Sequence, residues 1–253
     1  MTPNAPFPPY GRVVALDREV HAGLRLKPAP SLAFAAGLSA VPLLCAEFRD
    51  AAREYAIVFV RGADHGLVPV VLTGKPQGRN LYVDAAGRWN ARYVPAYVRR
   101  YPFLTARTAP DQYAVCIDAE CPGFDVAEGA QLFADAGEPS PLLRQVVQHL
   151  ALFQRHAQLT EAFTGRLQAA GVLIDAQAKA DLCGGQALAL RGFCIVDETR
   201  LPALSDAVLR EWLTGGLLAL IHAHLLSLGN LPQLLARQPA DENLSSDVPK
   251  SIQ

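Results

Sequence analysis

The 253-residue chain contains no Gly-x-Gly-x-x-Gly, no Gly-x-x-x-x-Gly-Lys-Ser/Thr and no Gly-x-Ser-x-Gly. The common phosphate cradles and the hydrolase nucleophile elbow are therefore not announced; Gly74-Lys75-Pro76 lacks both the upstream glycine and the following hydroxyl. An excess of either charge is missing too. With 23 basic and 24 acidic residues and a formal net charge of −1, the chain does not resemble a general nucleic-acid binder, which needs basic residues to neutralise phosphates. Cysteine is sparse: five residues at irregular spacings make no disulfide framework. Cys116 and Cys121 flank Asp118 and Glu120, but no second pair exists to complete a zinc set, since Cys45, Cys183 and Cys194 stand alone. The segment Met1–Tyr10 has neither a basic nor a continuous apolar region, so no secretory signal is read there. Together with the cysteine usage this predicts a cytoplasmic location. The most apolar stretch, Leu217–Leu228, is interrupted by His222, His224 and Ser227 and falls short of the roughly 20 apolar residues of a membrane span. It is expected to be a buried core helix, with no transmembrane segment, no metal and no cofactor.

What is present is ample apolar material: 51% hydrophobic against 19% charged residues, enough for a packed core. Residues 12–118 carry short β-branched or apolar runs, among them Ile57–Val60, Val68–Thr73, Leu81–Val83 and Tyr113–Ile117, punctuated by Gly62, Gly74, Gly78 and Gly87. This pattern predicts a mostly antiparallel sheet. Pro69 is expected on an edge or at a strand start, and a short helix over Cys45–Glu54 leads into the first of these strands. Beyond, Ser140-Pro141 is a helix start, and Leu143, Val146, Val147, Leu150 and Phe153 share one helical face. The helix is predicted to run over 141–170 and stop at Gly171. A second is predicted from Ser205-Asp206 to about Leu228, with a strand at Ala187–Val196 between them. The fold class is α+β: a single soluble domain over 12–238 with a helical C-terminal half packed on the sheet. Residues 1–11 are expected to be flexible, 239–253 a disordered tail, and 137–141 a joint between subdomains or merely a loop.

His149 and His156 share a helical face but lie about 10.5 Å apart along the axis, too far for one zinc ion. His222 and His224 point about 200° apart. His224, on the side of Leu213, Leu217 and Leu220, is expected to be partly buried with a depressed pKa, either as a core histidine or as an acid/base. The densest polar-aromatic block is Gly87–Phe103, where five aromatics and four arginines fall together. Arginine suits bidentate carboxylate or phosphate contacts, while Trp and Tyr offer stacking faces with polar tips. The block therefore reads as a recognition site built from Trp89, Arg92, Tyr93, Arg99, Arg100 and Tyr101, or as aromatics packed on the sheet with arginines paired to Glu47 or Asp84.

Asn80–Asp84, Gly87–Ala96 and Arg99–Phe103 resemble the SapC family of bacterial proteins. Val41-Pro42, Glu47-Phe48, Tyr55, Ile57–Phe59, Cys116–Asp118, Gly137–Pro139, Gly192-Phe193, Val196-Asp197 and His224–Leu228 with Asn230 are similar too. The likeness spans roughly residues 12–238 and weakens over Gly171–Gln186. The family's name comes from an association with surface-layer protein transport, and the resemblance brings no catalytic mechanism and no catalytic residue with it.

Two functions remain open at this point. One is a non-catalytic accessory protein binding a protein or peptide linked to cell-surface export through the Arg/aromatic block. The other is a small-molecule or peptide-modifying enzyme with His224 as acid/base, Glu47 or Asp118 as orienting carboxylate and Arg92 or Arg99 as substrate clamp.

Overall fold

The computed structural model describes residues 10–28, 31–62, 66–74, 78–109, 112–134, 137–181 and 187–237. The expected flexible start up to residue 9 and the expected tail at 239–253 lie outside them. Every strand pair is antiparallel, and the fold is α+β.

Strands β1 (Val13–Ala15), β2 (Arg25–Leu26) and β3 (Ala40–Pro42) precede helix α1 (Phe48–Ala51); β4 (Ile57–Arg61) and β5 (Leu67–Leu72) follow. Helix α2 (Ala96–Arg99) leads to β6 (Phe103–Ala109), β7 (Gln112–Asp118), β8 (Phe124–Asp125) and β9 (Ala130–Gln131). The C-terminal half contributes α3 (Pro141–Ala169), β10 (Leu173–Asp181), β11 (Ala187–Val196), α4 (Asp206–Thr214), α5 (Leu217–Ser227) and α6 (Leu231–Ala236). The main sheet has the order β10-β11-β4-β5-β3, and two three-stranded sheets have the orders β1-β7-β6 and β8-β2-β9. Residues Ile57, Val58 and Phe59 are all buried, because β4 lies in the middle of the main sheet and is covered on both sides.

Pro69 is neither at an edge nor at a strand start: it is the third residue of β5, which has β4 on one side and β3 on the other. It is tolerated because the β3 ladder ends at the Pro42–Val70 pair. The Leu43 N–H donates to the Pro69 carbonyl at 2.9 Å, so the position of the missing N–H faces the gap beyond β3, where no ladder partner is needed.

Helix α3 holds two cores together. Its first half sends Leu143 and Leu150 into a cluster with Phe103, Ile117, Leu132 and Phe133. Its second half sends Phe163 and Leu167 into the main core with Phe48, Phe59 and Val71. Ser140 caps it, accepting from the Leu143 N–H at 3.1 Å, with Pro141 in the first turn where its missing N–H costs nothing. Residues 137–141 are thus the turn into α3, with Gly137 at φ 76°.

Two helical expectations need correction. Cys45–Glu54 is a single 3₁₀ turn, Cys45–Glu47, continued by the four residues of α1. The helix expected over 205–228 is two helices, because Gly216 stands at φ 78° in the left-handed region and the chain turns there. The helical stretch Leu217–Leu234 has a mean hydropathy of 1.2 and the length and composition of a membrane span. One side of it nevertheless carries Ile221, His224, Ser227 and Leu234 into the core.

The break between α4 and α5 makes a prediction opposite in sign to that of a continuous helix. Gly216→Ala is expected to destabilise the protein by about 1 kcal/mol in urea denaturation, the strain of a side chain in the left-handed region. A gain in stability, as alanine gives within an unbroken helix, would contradict the break.

Candidate functional site

The fold divides the Arg/aromatic block among several environments. Trp89 packs against the main core. Its indole N–H donates to the Tyr55 hydroxyl at 2.8 Å, and its ring stacks on Tyr82. The Tyr55 hydroxyl in turn donates to the Tyr93 carbonyl, which closes the loop onto the sheet. Arg88 pairs with Asp84 at 2.8 Å, as expected of that pair.

Among the described residues Glu47 pairs with no arginine. Its side chain is 5% exposed and accepts from the Tyr93 hydroxyl and the Ala96 N–H, both at 2.7 Å, and from the Leu44 N–H at 2.9 Å. The carboxylate thereby ties the 3₁₀ turn to the start of α2. Arg99 reaches this cluster only through Tyr93: it lies 5.7 Å from the ring centroid and donates to the Val94 carbonyl at 2.9 Å. Burial, then the Glu47 carboxylate, pushes the Tyr93 phenol pKa up. His149 on α3 sits in the same neighbourhood, its pKa lowered first by burial and then by Arg99.

Asp118 lies elsewhere, at the end of β7, where it accepts from the Gly11, Arg12 and Glu120 N–H groups at 3.0–3.1 Å. Burial would raise its pKa, but these backbone hydrogen bonds outweigh burial and hold it low. Tyr101 is buried beside it, with its ring stacked on those of Tyr10 and Phe34.

His224 is fully buried. Its Nδ1–H donates to the Ile57 carbonyl at 2.9 Å, and the Val196 N–H donates to Nε2 at 3.1 Å. Those partners fix a neutral tautomer, and burial pushes the pKa down to about 4. One and two turns on, Ser227 accepts from the Ile57 N–H at 2.9 Å and Asn230 donates to the Ala52 and Tyr55 carbonyls. The His224–Asn230 segment is a polar seam joining α5 to β4 and β11. His224, Glu47 and Asp118 are thus held at three separate places by different partners, and the structure does not bring them together. No group of three or more His, Cys, Asp or Glu among the described residues is placed to hold a metal ion.

Arg92 and Arg100 open onto two different recesses. Arg92 lines a polar one of about 440 Å³ with Asp50, Arg53, Glu54, Gln233 and Arg237; Glu54 there accepts from the Arg92 and Tyr93 N–H groups. Arg100 lines a mainly apolar groove of about 520 Å³. One wall of the groove is the α3 face Phe153, Ala157, Thr160, Glu161, Thr164, Gly165 and Gln168, and the other is Pro42–Leu44 with Gly66–Pro69. From Phe153 to Gln168 the helix rises about 22 Å. The guanidinium of Arg100 lies 4.5 Å from the Tyr97 ring centroid and 4.4 Å from that of Phe153, and its Nε donates to the Tyr10 hydroxyl at 3.1 Å.

The α3 wall and the β5 wall are functional candidates that the sequence reading missed. The signal on α3 was a change of size along one face. Leu143, Leu150 and Phe153 give way, at helical spacing, to Ala157, Thr160, Thr164 and Gly165, and small residues leave a trough. The β5 wall had no signal in sequence, because it depends on where β3 stops. Thr160 fixes the trough, accepting from the Cys45 N–H at 2.9 Å while donating to the His156 carbonyl at 2.7 Å.

The environment of His224 sets a pH dependence. Its folded pKa of about 4 lies below the usual value near 6.5, so the unfolded chain binds the extra proton first, and stability falls as pH drops from 6.5 towards 4. Between pH 7 and 5 this group alone is expected to cost about 2 kcal/mol, read by urea denaturation. The ring resonances of His224 should titrate near 4 by NMR; a midpoint at 6 or above would contradict the buried neutral tautomer.

Comparison with known proteins gives one result. Searches of curated proteins and of solved structures find no match. The family model SapC matches residues 16–234, which takes in both cores, the polar seam and both walls of the groove; the chain belongs to the SapC family.

Proposed function

We propose that this protein is a non-catalytic binding protein that holds an extended polypeptide segment in the groove between α3 and the open end of β5. The observation that carries the reading is the groove itself, about 520 Å³, mainly apolar, with Arg100 and Tyr97 on its wall. At about 22 Å it accommodates six or seven residues of extended chain at about 3.3 Å each. Alternation along β5 turns the Leu67 N–H and C=O to the same side as the Pro69 carbonyl, beyond the end of β3. An incoming strand would meet main-chain donors and acceptors there, the usual source of affinity in strand addition. The small side chains of α3 leave room for alternate side chains of the guest. Family membership supports the same reading by association, since SapC proteins are named for surface-layer transport. The guest is then a polypeptide bound for the cell surface, met on the cytoplasmic side.

Gly165 provides the test. A Cβ built there meets nothing within 4 Å, so the side chain of Gly165→Leu starts in open space on the groove wall, and replacing a helical glycine favours the helix. The probe is a pool of fluorescein-labelled heptapeptides, randomised over Ala, Val, Leu, Phe, Ser and Gly, with free C-termini. It is expected to bind the wild type in fluorescence anisotropy and to bind Gly165→Leu at least tenfold more weakly, while the melting temperature of the variant is unchanged or higher. Undiminished binding to Gly165→Leu would overturn the reading.

A further inference from the structure

Among the described residues the groove holds one cation, Arg100. The Arg100 guanidinium lies against two aromatic rings, 4.5 Å from the Tyr97 centroid and 4.4 Å from that of Phe153, and Nε is taken by Tyr10. The two terminal nitrogens remain. Among the described residues no carboxylate lies within ion-pair distance of Arg100. A partly desolvated guanidinium of this kind is stabilised by a planar anion presented end-on, because its N–H edge matches a carboxylate in bidentate geometry.

Its position says which carboxylate. Arg100 sits at the Phe153 end of the trough, against the Phe153 ring. About 12 Å further along α3 the wall carries Glu161, whose charge opposes an acidic side chain in the middle of the groove. An apolar guest with its single negative charge at one end satisfies both.

We propose that the groove recognises the free C-terminus of an apolar polypeptide segment, its terminal carboxylate bound by the Arg100 guanidinium. This rests on the peptide-binding reading above and adds polarity and specificity to it: the guest ends at Arg100 and runs towards Gln168.

The experiment compares the same heptapeptide pool as free acid and as C-terminal amide. The free acid is expected to bind wild-type protein at least tenfold more tightly, Arg100→Gln to abolish the difference, and Arg100→Lys to restore part of it, each variant first shown folded by its melting curve. Equal binding of acid and amide to the wild type would overturn the carboxylate assignment and leave the peptide groove standing. Failure of both pools to bind would overturn the two together. An amidated pool carrying one internal Glu that binds as tightly as the free acid would replace the C-terminus by a side chain. Dodecanoate binding more tightly than either pool would replace the peptide by a fatty acid. Each of these last two results overturns the proposal.

Discussion

Buried polar backbone outside regular ladders must find partners, and in this protein ionisable side chains supply them. Glu47 satisfies the N–H groups of Leu44 and Ala96, Asp118 those of Gly11, Arg12 and Glu120, and His224 bridges Ile57 and Val196. Among the described residues no buried side-chain nitrogen or oxygen is left without a partner. Each unpaired group would cost about 1–3 kcal/mol, so these contacts hold together a fold rich in short turns and two-residue strands. The same constraint explains why the three residues with catalytic credentials do not share a site.

The groove follows from that scaffold. Helix α3 is anchored at one end in the small core and at the other in the large one, with Thr160 bonded to the turn before α1. The face between those anchors meets the end of β5 where β3 has already stopped, and small side chains keep the space open. Arg100 lies on the groove wall against the Tyr97 and Phe153 rings, its Nε bonded to Tyr10, and no carboxylate among the described residues pairs with it. A rigid site is made by such packing. Cation–π contacts of this sort contribute about 0.5–2 kcal/mol and hold the guanidinium in place before any guest arrives.

The Arg/aromatic block was legible as special but not as to its purpose. Six of its residues were candidates for one site, and the fold distributes them. Trp89 and Tyr101 pack inside, Tyr93 serves Glu47, Arg99 leans on Tyr93, Arg92 opens on a polar recess and Arg100 on the apolar groove. Residue type and local density announce arginine and aromatics, yet a segment of turns and one four-residue helix points its side chains in several directions. The residues that complete the groove, Phe153 to Gln168 and Gly66 to Pro69, come from elements far along the chain.

Local physics was enough to place α3, with its Ser140-Pro141 start and apolar face, the strands around Ile57, Val70, Val115 and Leu190, and the α+β class, because period and capping are encoded within a few residues. Long-range pairing settled the rest. Pro69 could sit inside a sheet because β3 ended beside it, and Gly216 could split one apolar run into two helices because its left-handed turn lets α4 and α5 each meet the core. His224 became a core hydrogen-bonding group because Ile57, 167 positions away, came to lie against it. Such contacts depend on which elements meet across the molecule, and no window of sequence contains both partners.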